Sequence, residues 1–217
     1  ILVTGASGFI GRNVGPHLVA AGHEVIAAGR RVPSEEHPLL HFVPLDLLQA
    51  GEIDPVVRRT RPDMLLHLAW AVEHGRFWED PANMEWVAAS LQLARAAERA
   101  GAQRIVMAGT CFEYAWPGSG VCHEETTQIA SHTFYDISKN SLRTLVEEWA
   151  KKVDVSFSWA RIFHLYGAGE APQRLVADIA RALADGRAAK CSSGRAVRDF
   201  MDVRDVGAAL ATLLLSD

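Results

Sequence analysis

The chain has 217 residues, 49% of them hydrophobic, and a formal net charge of −4. That size suits one domain, or one domain and part of another, of a soluble globular protein, and the small net charge gives no electrostatic case for nucleic acid or a membrane surface. No apolar run approaches the ~20 residues that span a bilayer, and Cys111, Cys122 and Cys191 have neither metal-ligand spacing nor the even count of a disulfide framework, so no metal and a reducing, cytoplasmic setting are expected.

Ile1-Leu2-Val3 reads as a buried strand, so no signal peptide is expected. It runs straight into Thr4-Gly5-Ala6-Ser7-Gly8-Phe9-Ile10-Gly11, and a helix pattern covers residues 9–21 up to Gly22. Strand, glycine loop and helix in this order make a phosphate site. Gly5 allows the turn, Gly8 a close backbone approach to a pyrophosphate, and Gly11 the packing of helix on strand. Pro16 sits inside the helix and is expected to bend or loosen it. A second strand, residues 24–28, ends at Gly29-Arg30-Arg31. Dinucleotide folds often place there a carboxylate for the ribose 2′-hydroxyl. Two guanidiniums without that carboxylate favour a 2′-phosphate, hence NADP over NAD; the alternative is that they are solvated loop charges.

Residues 41–45 read as a third strand ending at Asp46, residues 54–60 as a short helix, and residues 64–69 as a fourth strand, apolar on both faces. A helix over 82–100, a fifth strand over 104–108, a helix over 135–152 and a sixth strand over 155–162 follow. This alternation predicts an α/β fold with a doubly wound parallel sheet. Beyond Tyr166 come a helix (175–184), a basic stretch (187–198), a short strand (199–203) and a helix (206–215). The division expected is therefore 1–166 for the sheet domain and 167–217 for the start of a smaller substrate-binding lobe, its helix packing back on the sheet domain. Ile1 opens inside a strand and Asp217 follows directly on an apolar helix, so the natural chain is expected to be longer.

Tyr135 and Lys139 are four apart and share one face of a helix. A nearby ammonium is expected to lower the phenol's pKa and ease proton transfer. Thr110, at the carboxyl end of the fifth strand, places a hydroxyl where open sheets bind ligands and where charge would build on a substrate oxygen. Together the three suit hydride transfer, with Tyr135 handling the proton.

With these motifs the chain resembles the extended short-chain dehydrogenase/reductases, the NAD(P)-dependent epimerase/dehydratase group that modifies nucleotide sugars. The resemblance rests on residues 4–11, His67-Leu68-Ala69, Thr110 with Tyr135-x-x-x-Lys139, and Arg198-Asp199-Phe200-Met201-Asp202-Val203. It implies a Rossmann-type sheet with a partial C-terminal lobe. It implies that Gly5, Ser7, Gly8, Phe9, Ile10 and Gly11 hold the cofactor's pyrophosphate, that Arg30 and Arg31 face the adenosine ribose and Asp46 with Leu47 the adenine, and that Leu68 and Ala69 line the cleft. Thr110, Tyr135 and Lys139 would be catalytic, with Tyr135 and Lys139 also touching the cofactor. The strand end 161–164, with Ile162 and His164, would meet nicotinamide and substrate, and Arg174 and Arg198 the substrate, Arg198 at its diphosphate. The bland alternative for Arg198 is a salt bridge with Asp199 or Asp202.

Several positions depart from the group's pattern. Trp86 stands where an Asn is usual, with Asn83 one turn earlier, and His164 stands where relatives often carry Asn. Cys111-Phe112 replace the Asp-Glu of the 4,6-dehydratases, with Glu113 out of register, which sets water elimination below the other reactions. His67 and Cys111 read as structural. Trp70, Trp78, Trp86 and Trp116 lie in or near loops beyond strand ends, to stack on a ligand or simply to pack. The leading expectation is an NADP(H)-dependent reductase of a nucleotide-linked 4-keto-6-deoxy sugar, acting as a homodimer through helices 82–100 and 135–152. The alternatives are an epimerase with tightly held NAD and a non-catalytic NADP-binding member.

Overall fold

The computed structural model describes residues 1–216 apart from 35, 74 and 117–120; Asp217, used above to judge the chain end, lies outside them. Six parallel strands form one sheet: β1 (Leu2–Thr4), β2 (Val25–Gly29), β3 (Leu40–Pro44), β4 (Met64–His67), β5 (Arg104–Thr110) and β6 (Ser156–Ile162), in the order β3-β2-β1-β4-β5-β6. The order reverses between β1 and β4, which is the doubly wound, Rossmann-type arrangement. Thr4 pairs with Ala28 and His67, His67 with Met107, and Thr110 with Ile162. The carboxyl ends of the central strands thus form one edge, the edge where such sheets bind ligands.

Alternate residues of each central strand feed opposite faces. Leu2, Leu65, Ile105 and Met107 pack beneath α2 (Ile53–Thr60), α3 (Asn83–Arg99) and α4 (Phe134–Val153). Val3, Val25, Leu66 and Val106 pack beneath α1 (Gly11–Ala20) and α6 (Val203–Leu215). Burial on both faces explains why these strands read as continuous apolar runs. Helix α1 begins at Gly11, later than the pattern suggested, because Phe9 and Ile10 belong to the turn that precedes it, and it runs unbroken through Pro16 to Ala20. Helix α6 starts at Val203, three residues earlier than expected, because the Asp202 side chain accepts the Arg204 N–H and caps it. Gly207 brings α6 onto α1: a Cβ there would stand 2.2 Å from the Asn13 carbonyl oxygen.

A second, two-stranded sheet pairs β7 (His164–Tyr166) with β8 (Phe200–Asp202). It straddles the division expected at residues 166 and 167, and α5 (Leu175–Ala184) lies between its strands in sequence. Two short 3-10 turns, Phe77–Glu79 and Cys111–Glu113, fall in stretches for which the sequence pattern predicts no element. Among the described residues no helix is long and apolar enough to cross a membrane, and no cluster of His, Cys, Asp and Glu is arranged to hold a metal ion.

Candidate active site

The loop after β1 has no space for larger residues. Gly5 has φ +72°, in the left-handed region, and a Cβ on it would stand 2.8 Å from the Ala69 nitrogen. A Cβ on Gly11 would stand 2.2 Å from the Gly5 carbonyl oxygen, and one on Gly8 3.0 Å from the same oxygen. The Gly8 N–H donates to that carbonyl at 2.9 Å and closes the turn. Ser7, Phe9 and Ile10 are half-buried, and among the described residues the N–H groups of Phe9 and Ile10 meet no backbone carbonyl. The loop therefore folds flat against the ends of β1 and β4 and keeps amides at the start of α1 for an anion, which fits a dinucleotide's pyrophosphate. Leu68 and Ala69 form the neighbouring wall, the Leu68 N–H donating to the Thr4 carbonyl at 3.1 Å.

Arg30 and Arg31 stand exposed just past β2. The Leu45 N–H donates to the Gly29 carbonyl at 3.0 Å, so Asp46 and Leu47 emerge beside the arginines. The Asp46 carboxylate accepts the Leu48 N–H at 3.1 Å, its own N–H donates to Glu52 Oε2 at 2.8 Å, and Leu47 is buried.

Thr110, Tyr135 and Lys139 come together, buried, at the carboxyl end of β5. The Thr110 hydroxyl is the hydrogen-bonding group beside the Tyr135 phenol. Helix α4 presents Tyr135 in its first turn because Thr133 caps it: the Thr133 hydroxyl and the Asp136 carboxylate satisfy each other's backbone N–H groups in a capping box. Lys139 differs from expectation. Its Nζ donates to the Ala108 carbonyl at 3.0 Å and lies 3.9 Å from the Trp70 ring centroid, but 6.0 Å from that of Tyr135. Burial pushes the Tyr135 phenol above its ordinary value, with Glu113 adding to the rise, so the phenol is not activated here as expected. Burial pushes Lys139 down to about 7, opposed by Glu113. Desolvation wins in both cases because it disfavours the charged form of either group.

Glu113 is the residue that reading for motifs set aside. It is fully buried at the end of the Cys111–Glu113 turn, and its carboxylate accepts the Thr110 N–H at 2.9 Å, the Trp159 Nε1–H at 2.9 and 3.1 Å, and the Arg161 Nε–H at 2.8 Å. Gly109 makes room for this cluster: a Cβ there would stand 2.1 Å from Trp159 Nε1 and 2.8 Å from Glu113 Oε1. Its sequence signal was a lone acid three residues after Thr110, the spacing of a capping box.

Aromatic rings enclose Tyr135. Trp70, Phe77 and Trp78 meet it edge-on at centroid distances of 6.2, 4.8 and 5.9 Å. Asn83, buried, accepts the Trp70 indole N–H at 2.9 Å and donates to the Phe77 and Asp80 carbonyls at 2.8 and 2.9 Å, so it ties the 77–80 turn to that cage. Trp86 stacks on Trp70 at 5.8 Å, and Trp116 on His164 at 6.4 Å. These tryptophans pack on one another and on the site's own residues. Burial pushes His67 down to about 3, and burial pushes the Cys111 thiol up to about 12. A neutral imidazole and a neutral thiol suit the structural roles read for both.

On the substrate side Ile162 ends β6, half-buried. His164 sits among Phe112, Trp116 and Phe200, and among the described residues its buried Nε2 has no hydrogen-bond partner. Burial, then the charge of Arg198, lowers its pKa, with Asp199 opposing and Arg174 acting in the same direction as Arg198. Arg198 is exposed and donates to the Val197 carbonyl at 2.8 Å. Of the two acids in the bland alternative, Asp202 pairs with Arg204 at 2.7 Å.

A model of the NAD dependent epimerase/dehydratase family matches residues 1–217. The chain is 26% identical over 224 residues to a dTDP-6-deoxy-L-talose 4-dehydrogenase (NAD(+)) of Aggregatibacter actinomycetemcomitans, covering all of this chain and 80% of that one. It is 28% identical over 216 residues to a dTDP-6-deoxy-L-talose 4-dehydrogenase (NAD(P)(+)) of Kitasatospora kifunensis, covering 94% of this chain and 66% of that one. Among solved structures, the Thermus thermophilus UDP-glucose 4-epimerase complex with NAD superposes with a TM-score of 0.85 at 25% identity, covering all of this chain and 74% of that one.

Proposed function

The chain belongs to the NAD-dependent epimerase/dehydratase family, and from that premise we propose that it is an NAD(P)-dependent enzyme of nucleotide-sugar metabolism, more closely an NADP(H)-dependent reductase of a nucleotide-linked 4-keto-6-deoxy sugar. The observation that carries this reading is the meeting of Thr110, Tyr135 and Lys139 at the sheet edge that also holds the glycine loop. The relatives named for dehydrogenation at C4 of a 6-deoxy sugar nucleotide support it, because reduction of the 4-ketone is the reverse of that reaction. Arg30 and Arg31, exposed at the end of β2 where Gly29 stands in place of the usual ribose-binding carboxylate, favour the 2′-phosphate of NADP.

A bound dihydronicotinamide supplies the hydride. Tyr135 gives its phenol proton to the ketone oxygen, and the Thr110 hydroxyl donates a hydrogen bond to the same oxygen as its charge grows. Burial keeps the phenol protonated but makes it a weaker acid, so its proton leaves only where a cation stabilises the phenolate. Lys139, as the ammonium, stabilises the phenolate left behind and would hydrogen-bond the nicotinamide ribose of a bound cofactor. His164 lines the sugar side, and Arg174 and Arg198 face the diphosphate. The likeness to a UDP-glucose 4-epimerase complex with NAD favours a second reading, an epimerase with tightly held NAD.

Titration with NADPH and NADH, followed by nicotinamide fluorescence, separates the two. The reductase reading expects tighter NADPH binding, weakened roughly tenfold or more when Arg30 and Arg31 are changed to Ala. It also expects Tyr135→Phe to lose carbonyl reduction and keep cofactor binding. NAD carried through purification, or NADH bound as tightly as NADPH, moves epimerisation to first place.

A further inference from the structure

The buried carboxylate of Glu113 has a place in this site that the family motifs do not give it. It spends its oxygens on three donors, each from a part of the site: the Thr110 peptide, the Trp159 indole and the Arg161 guanidinium. Trp159 stands between Glu113 and Lys139, its N–H on the carboxylate and its ring 5.9 Å from Lys139 Nζ. The Lys139 Nζ is fixed on the carbonyl of Ala108, two residues before the Thr110 N–H that Glu113 holds. Arg161 is also shared: its Nη1 donates to the Tyr114 hydroxyl at 3.2 Å and its guanidinium lies 4.8 Å from the Tyr114 ring. Glu113 and Lys139 are both buried, so charges act more strongly on one another here than at the surface.

We infer that Glu113 is a positioning residue of this site, which holds the Thr110 peptide in place and acts as the counter-charge that keeps Lys139 an ammonium. The inference rests on the reading of Thr110, Tyr135 and Lys139 as the reacting group. The other ionisable groups around Lys139 are His67 on β4, held neutral by burial, and Tyr135 on its own helix, with Asp136 and Cys111 beside that phenol. Arg161 on β6 pairs with Glu113 at 2.8 Å, and its positive charge works against the ammonium. The Asp136 carboxylate is turned to the His132 and Thr133 N–H groups at the helix start, which leaves Glu113 as the anion whose charge favours the ammonium.

The test uses the unliganded protein, so it stands apart from the cofactor titration. Stability to urea is measured from pH 5 to 9 for the wild type and for Lys139→Met. Lys139 titrates at about 7 in the fold and at about 10.4 unfolded. Between these values the unfolded chain binds more protons, so stability contributed by this group rises with pH. The difference between the two proteins is flat at low pH and turns upward at the folded midpoint. With Glu113→Gln in both backgrounds, that turning point is expected about half a unit or more lower, while Glu113→Asp, which keeps the charge, holds it near the wild-type position. A uniform loss of stability with the turning point unmoved overturns the inference. Should Glu113→Gln fail to fold, Arg161→Met replaces it. There the carboxylate keeps its Thr110 and Trp159 donors and loses its cation, so the turning point is expected to rise; an unchanged or lower one overturns the inference.

Discussion

His67 joins three elements through one ring. Thr4 Oγ1 lies 2.6 Å from its Nδ1 and Ser90 Oγ 2.8 Å from its Nε2. The Ser90 proton goes to the Trp86 carbonyl at 2.7 Å, so Nε2–H must donate to Ser90 and Nδ1 must accept from Thr4. That pattern needs a neutral ring; a second ring proton would face the Thr4 hydroxyl. Burial, and then the charge of Lys139, push the group down to about 3, against about 6.5 unfolded. Below 6.5 the unfolded chain binds a proton that the fold refuses, so stability is present above that pH and is lost as pH falls. This one group is expected to remove about 2 kcal/mol between pH 7 and pH 5. Urea unfolding at the two pH values checks it. His67→Gln is expected to be less stable at pH 7 and to lose less on acidification; an equal loss in both proteins would count against the argument. A structural His at a strand end was legible from position, but its partners come from β1 and α3, and no local pattern names them.

Helix α4 shows how an element aims a side chain. Its first turn carries Tyr135, and its start is set by the reciprocal Thr133 and Asp136 bonds, with Asp136 Oδ2 also accepting the His132 N–H at 3.1 Å. Without that stop the helix frays at the turn that holds the phenol. Asp136→Ala is expected to cost about 1 kcal/mol, the ordinary worth of such a cap, and to lower the rate of carbonyl reduction more than it weakens NADPH binding, because the glycine loop on α1 is untouched. Thermal melting with kcat and cofactor affinity in parallel checks this; an equal fall in both kinetic terms would point to general damage. The four-residue spacing of Tyr135 and Lys139 was readable, and it does put both on one face. The direction of Lys139 was not, because Trp70, arriving from the loop after β4, offers its ring face to the ammonium.

Across the molecule, the sheet was legible because each central strand is a short apolar run, and burial on two faces leaves little else for such runs to do. Glu113, Asn83 and the two 3-10 turns were hidden, since their meaning lies in contacts between distant segments. One surface is explained by neither core. Met84 on α3 and Ile137 and Leu145 on α4 are 62%, 47% and 55% exposed, on helices whose other sides fill the core with Leu93, Leu142 and Val146. Ile137 and Leu145 are eight apart and fall along one stripe of the helix. Apolar residues grouped on adjacent helices mark an interaction surface more often than isolated ones do. The chain is expected to cover it with a second copy, the two-fold partner presenting the same helices. Light scattering at micromolar concentration should give a dimer, and Ile137→Glu with Leu145→Glu should give a folded monomer that keeps its melting profile in dilute solution. A monomeric wild type would remove the pairing and leave the stripe for a different protein.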